Sequence, residues 1–157
     1  MFLENLKSNS PDQFLDHGSI EITLTFIGKN LNKDEISTIL ETEPTFSWNP
    51  NEILEIGSSK RIKITDTGKW YLKSVYKIED LNIGLKSFFK KLPHDNNLWL
   101  KLTKKYETFI EVTAYQDSWN HTYNISSKTL LLLANKNIAL SFDIYNLNAD
   151  ETNEEIN

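Results

Sequence analysis

The chain has 157 residues, of which 39% are hydrophobic, 25% charged and 11% aromatic. These values are typical of one packed globular domain and exclude a disordered, fibrous or membrane-spanning chain. The formal net charge is −5, and Arg61 is the single arginine. We therefore expect no nucleic-acid binding, because such binding depends on basic side chains that neutralise phosphates. The acidic balance makes a basic protein a plausible partner, although a mild negative charge more often serves solubility alone.

The chain has no cysteine, which excludes disulfides, thiolate metal sites and cysteine nucleophiles. Residues 1–7 carry Glu4 where a signal peptide needs basic charge, and no apolar segment follows. No stretch approaches the roughly 20 apolar residues that span a bilayer. The histidines have no spacing typical of a zinc site. We expect a cytoplasmic protein without membrane contact, metal or cofactor.

The first half of the chain predicts strands and one short helix. Residues 20–27 alternate apolar and polar side chains, as a half-buried strand does. Asn32 is placed to cap a helix over 33–41, and Glu35 is placed to bond back to the Asn32 amide as in a capping box. Further extended pieces follow: a short segment around Trp48 within 45–57, then 61–64 and 69–77, whose first part pairs with 61–64 as a hairpin around Gly68.

The second half predicts helices and strands from its apolar spacing and capping residues. In chain order these are a helix over 81–92 stopped by Pro93, a helix capped by Asp95 or Asn96 that carries Trp99, strands over 109–115 and 122–125, a helix over 130–134 capped by Ser126 or Ser127, and a strand over 138–145.

This order predicts an α+β fold with a mixed, largely antiparallel sheet and helices packed on one face. The element order is that of a ferredoxin-like split βαβ unit with a C-terminal ββαβ-type extension. We expect an N-terminal arm over 1–18, a single domain over 19–147 and an acidic, mobile tail over 148–157. The alternating strands predict a shared core that contains Ile22, Leu24, Phe26, Trp70, Leu72, Phe88, Val112, Leu140, Phe142 and Ile144.

Four segments carry a resemblance to a known family. They are 27–36 after the first strand, Glu43–Trp48, Thr67–Leu72 and the closing Leu140–Tyr145. In order and spacing they are similar to the bacterial family of domain of unknown function 4279, over about residues 20–146. The family has no established reaction. It is similar in size and habit to small bacterial proteins that include toxin-neutralising immunity proteins, so the resemblance implies an immunity-type inhibitor as one candidate function.

The residues that we predict to contact a partner lie in or beside loops: Trp48, Tyr115, Asp117, Trp119 and His121. A large aromatic beside a loop either caps the core or anchors a partner, and both interpretations stay open for Trp48 and Trp119. Asp117, Ser118 and His121 are the residue types of a catalytic triad, but they lie in one turn. Neighbours on one turn rarely converge as a triad requires, so we predict no catalytic residue.

The favoured function is a non-enzymatic protein-interaction module. The alternative is a small-molecule-binding or hydrolytic domain with a pocket between sheet and helices, with Tyr115, Trp119 and His121 at its rim.

Overall fold

The computed structural model describes residues 19–57, 61–77, 80–117 and 120–146. The predicted arm of 1–18 and the predicted tail of 148–157 lie outside the described residues. In the described part, no helix is long and apolar enough to cross a membrane. The elements are β1 (Ser19–Gly28), α1 (Lys33–Leu40), β2 (Phe46–Trp48), β3 (Ile53–Ile56), β4 (Arg61–Ile64), β5 (Gly68–Lys77), α2 (Leu81–Phe89), α3 (Asn96–Lys105), β6 (Glu107–Gln116), α4 (Ser127–Ala134) and β7 (Ala139–Asn146).

The main sheet has five strands in the order β2-β5-β1-β6-β7. β1 pairs antiparallel with β5 and with β6, and β2 pairs antiparallel with β5. β7 runs parallel to β6, because the connection that contains α4 returns the chain to the end of the sheet at which β6 begins. The predicted fold class, α+β with a mixed and mostly antiparallel sheet, is confirmed.

The core lies between the sheet and its helices. Even-numbered residues of β1 and β6 point into it because side chains alternate along a strand. Phe26 and Trp70 meet edge to face, with ring centroids 5.7 Å apart, and both are fully buried. The predicted core residues that are buried are Ile22, Leu24, Phe26, Trp70, Phe88 and Val112, while Leu72 and Leu140 are partly buried against them.

The N-terminus of α1 is built differently from the predicted capping box. Asn32 caps the helix as expected, since its side-chain oxygen accepts from the amides of Asp34 and Glu35. The Glu35 carboxylate does not bond back to the Asn32 amide. Instead the hydroxyl of Tyr106 accepts from that amide at 3.3 Å and donates to Glu35 Oε2 at 2.7 Å. Tyr106 therefore links the first turn of α1 to the start of β6.

Two predicted strand features are wrong. β4 pairs with β3 in a separate two-stranded sheet and not with β5, since both edges of β5 are occupied by β1 and β2. Residues 122–125 form no strand. Asn82 at the start of α2 holds this region instead, because its side chain donates to the Asn124 carbonyl and accepts from the Ser126 amide. The C-terminal extension is therefore α4 and β7 only.

Two predicted core residues are also wrong. Phe142 is 39% exposed and Ile144 is 47% exposed. Both lie on the helix side of β7, but α4 has eight residues and buries only Thr129 and Leu133. Within the described residues, β7 is an edge strand, with a neighbouring strand on one side only. Side chains on its helix side therefore have packing neighbours on one flank only and remain partly exposed.

Candidate functional site: the open face of the sheet

One face of the sheet lies opposite the helices, and we call it the open face. It consists of the odd-numbered residues of β1, β5, β6 and β7 and the even-numbered residues of β2, as the pairing registers require. Its aromatic side chains are Phe46, Trp48, Tyr71, Phe109, Tyr115 and Tyr145.

A first aromatic group lies where β2 meets β5. The ring of Phe46 is 5.6 Å from that of Trp48 and 6.4 Å from that of Tyr71. The indole N–H of Trp48 donates to the Thr67 carbonyl at 3.0 Å and to Thr65 Oγ1 at 3.2 Å. Because Trp48 is half-buried and its donor is satisfied within the chain, it holds the base of the β3–β4 hairpin to the sheet.

The same hairpin base is tied to α1. The Glu52 carboxylate accepts from the Asn49 amide at 2.7 Å and from Lys33 Nζ at 2.8 Å. These bonds hold the pKa of Glu52 below its usual range, with the Asn49 amide as the larger cause. Asn49 Oδ1 in turn accepts from the Lys33 amide. The contacts fix where the hairpin leaves the sheet, and they give this end of the open face a structural role.

A second aromatic group lies at the opposite corner, on β6 and β7. Tyr115 and Tyr145 are direct neighbours in the parallel register, and their rings stack with centroids 5.3 Å apart and planes 14° apart. Tyr145 is 48% exposed. A hydrogen bond to Asp143 raises the pKa of Tyr145. The pKa of Tyr115 is also raised, mainly by burial and to a smaller extent by the negative charge of Glu21. We call this the tyrosine pair.

Three carboxylates lie on the side of the tyrosine pair that faces the middle of the sheet. Asp143 is two residues before Tyr145 on β7, opposite Thr113, and Glu111 is four residues before Tyr115 on β6. Glu21 on β1 occupies the Asp143 row and bonds Lys73 Nζ at 2.8 Å. Lys73 and Lys77 on β5 offset part of this charge, so the corner combines an exposed, stacked aromatic surface with a small excess of negative charge.

The predicted site residues do not converge. Across the sheet, the pairing places Trp48 level with Glu107 of β6, three strands away, and Glu107 is eight residues before Tyr115. The distance from Trp48 to Tyr115 is therefore about 30 Å. Asp117 follows β6 in an exposed bend. Trp119 lies outside the described residues.

His121 belongs to the other side of the sheet. Its exposed ring is 4.5 Å from that of Tyr123, and Tyr123 is 6.4 Å from Phe142. Phe142 points to the helix side, whereas Tyr115 belongs to the open face. The structure thus separates His121 from Tyr115 by the thickness of the sheet.

Sequence reasoning missed Tyr145 and Asp143. Their alternation along β7 with Phe142 and Ile144 is visible in the sequence and assigns them to one face. What the sequence does not show is that β7 runs parallel to β6, which is what places Tyr145 beside Tyr115.

In class, the protein is an α+β domain, and in the part of the chain that the structure describes its helices lie on one side of the main sheet. Among the described residues, no group of three or more His, Cys, Asp or Glu side chains is placed to hold a metal ion.

The chain belongs to the family described as Domain of unknown function (DUF4279), whose model matches residues 18–147. The resemblance inferred from the sequence is thereby confirmed at the level of the family. Comparisons with curated proteins and with solved structures give no significant match.

Proposed function

We propose that the protein is a non-enzymatic protein-binding module that presents the tyrosine pair of its open face to a basic protein partner. The observation that carries this proposal is the stacking of two tyrosines at an exposed corner of the sheet, beside the carboxylate of Asp143.

The aromatic content of this corner supports a protein partner. Tyrosine is enriched at protein interfaces because it offers a large contact area with few rotatable bonds. Tyr115 and Tyr145 are already stacked, and rigid strands carry both. Binding would therefore order few side chains, which lowers its entropic cost.

The charge of the corner supports a basic partner. A lysine or arginine side chain can stack on a tyrosine face while its charge meets Asp143 or Glu111. The net charge of −5 would also steer a basic protein toward the surface. An immunity-type inhibitor that covers a basic toxin, which the family resemblance implies, is one instance of this class.

The alternative, a pocket between sheet and helices, receives less support. Tyr115, one of its three predicted rim residues, lies on the open face and not between the layers. A second of them, Trp119, lies outside the described residues.

Site-specific photo-crosslinking in the source cell tests the proposal. A photoreactive phenylalanine analogue replaces Tyr115, and a control variant carries it at Lys90, which is exposed just after α2. We expect a crosslinked protein of basic isoelectric point from position 115 and not from position 90. In a cell extract, its yield should fall with added salt and with Asp143→Asn.

The proposal fails if both positions give the same products or if position 115 gives none. It also fails if the product from position 115 is indifferent to salt and to Asp143→Asn.

A further inference from the structure

We propose that two copies of the chain associate through β7, whose outer edges, occupied by no other strand of the described residues, pair antiparallel and join the two five-stranded sheets into one. This inference concerns the edge of the sheet and goes beyond the partner-binding role of the open face.

β7 has the features of an edge that pairs. Among the described residues it bonds to β6 on one side and to no strand on the other. Such an edge presents unpaired backbone donors and acceptors, which proteins usually protect with lysine, proline or a very short strand. β7 spans eight residues, contains no lysine or proline, and has Asp143 as its single charged residue. By contrast β2, at the other edge, has only three residues.

Exposed apolar side chains adjoin this edge. On the helix side of β7, Phe142 and Ile144 are 39% and 47% exposed. α4 packs on β7 and exposes Leu130 and Leu131 by 50% and 58%. A second copy related by a two-fold axis at the edge would bring its own α4 to the same side of the sheet. The apolar side chains of the two copies would then cover one another.

Symmetry restricts the register of the pairing. A two-fold axis perpendicular to the sheet keeps the helices of both copies on one side, so each residue must face a residue of the same side. The two registers of greatest overlap are centred on Phe142 and on Asp143. The second would place two Asp143 carboxylates directly opposite each other, and like charges in that position are destabilising.

The structure therefore favours the register centred on Phe142. Phe142 then faces Phe142 of the second copy, Ile144 faces Leu140, and Asp143 faces Ser141. Apolar residues meet apolar residues on the helix side, and the negative charge meets a neutral hydroxyl on the open face.

The size of the interface sets the expected affinity. An eight-residue strand is about 26 Å long, and a sheet with one helix layer is about 20 Å thick. The footprint is then about 500 Å² on each copy, or about 1,000 Å² in all, at the lower limit of specific interfaces. We expect a dimer that forms at high protein concentration and dissociates on dilution.

Sedimentation equilibrium over a wide range of protein concentration is the first test. The apparent mass of the full chain should rise from the monomer value of 18.3 kDa toward twice that value. Ile144→Lys should raise the dissociation constant by more than about 30-fold, the effect of losing an interface hot spot. The control is Ile62→Lys, on the exposed face of the β3–β4 hairpin, where Ile62 is 71% exposed. This control should dimerise like the unmodified chain.

The proposal is overturned if the unmodified chain stays monomeric at the highest concentration. It is equally overturned if Ile144→Lys leaves the dissociation constant unchanged or if Ile62→Lys abolishes the dimer.

Cysteine crosslinking is the second test, and it does not depend on whether the lysine variant folds. The chain has no cysteine of its own, so each variant carries a single thiol. In the proposed register, position 142 faces itself at about 4.5–5.5 Å between Cα atoms, within the range of a disulfide. Position 144 is four residue steps from its symmetry mate, about 13 Å along the strand. Phe142→Cys should form a disulfide-linked dimer on mild oxidation, and Ile144→Cys should not. Equal crosslinking of both variants, or none in Phe142→Cys, contradicts the register.

Discussion

Removing the Tyr106 hydroxyl should destabilise the protein by about 1–2 kcal/mol at neutral pH. The side chain of Tyr106 is 3% exposed, and its hydroxyl donates to Glu35 Oε2 at 2.7 Å. A hydrogen bond to a charged group contributes about 1.5–3 kcal/mol. Glu35 is about one-third exposed and keeps Lys105 as a second donor, so water and Lys105 replace part of the loss in Tyr106→Phe.

The effect of Tyr106→Phe should depend on pH. Two hydrogen bonds hold the pKa of Glu35 below its usual range: the larger effect comes from Lys105 and the smaller from Tyr106. A folded-state pKa below the unfolded value, about 4.3 for glutamate, gives stability that is fully present above that value. This stability is lost as the pH falls through the folded-state pKa. The difference between the unmodified chain and Tyr106→Phe should therefore be complete at neutral pH and shrink in acid.

Urea unfolding at about pH 7 and about pH 3 measures both effects. The matched control is Tyr76→Phe. The Tyr76 hydroxyl is buried and has no hydrogen-bond partner at ordinary distance and angle. Burial raises the pKa of Tyr76, and the nearby Ser74 side chain offsets part of that rise. Its removal should be neutral or stabilising. A loss below about 0.5 kcal/mol in Tyr106→Phe at neutral pH, or an equal loss in acid, would refute the role assigned to this hydroxyl.

Three further substitutions test the packing. Trp70→Ala should cost about 3–5 kcal/mol in urea unfolding, while Phe142→Ala, at a position 39% exposed, should cost only about 1–2 kcal/mol, and equal losses would show that β7 is buried. Gly68→Ala would bring its Cβ within 2.8 Å of the Trp48 carbonyl oxygen, so it should cost about 1–3 kcal/mol; a fully stable variant would show that the hairpin base yields easily.

Local chemistry made much of the fold predictable. The alternation of Ile20, Ile22, Leu24 and Phe26 identifies β1 and its buried face without any knowledge of the partners. Helix caps are similarly local, and Asn32 bonds the first amides of α1 as its position in the sequence predicts. Such features depend on residues close together in the chain, so the sequence displays them directly.

Long-range pairing was not predictable in the same way. Residues 61–64 alternate like a strand, but their proximity to the turn at Gly68 made β5 the apparent neighbour, whereas β3 is the actual one. Ile53–Ile56 was missed as a strand because Pro50 and Gly57 bracket it with loop signals. Alternation along β7 correctly grouped Phe142 with Ile144. It does not reveal whether another layer covers the face that they share.

The candidate site shows the same division. Tyr115 was identified because it ends a strand before a polar loop. The ring stacked on it, Tyr145, depends on a parallel pairing between strands that are 30 positions apart in the chain. His121 was close to Tyr115 in sequence, but its ring lies beside Tyr123 and, through it, near Phe142 on the helix side of the sheet.

The position of the β3–β4 hairpin bears on how this domain can vary in length. β2 and β5 are joined through the hairpin, yet they pair directly with each other, and Trp48 lies opposite Lys69 at the point where the chain departs. Residues 49–67 are therefore an excursion whose two ends are fixed by the sheet. Doubling the length of such a loop costs only about 0.6 kcal/mol of closure entropy. Insertions and deletions at the hairpin tip should be tolerated without altering the register of the sheet, which makes this the natural place for a fused peptide or label.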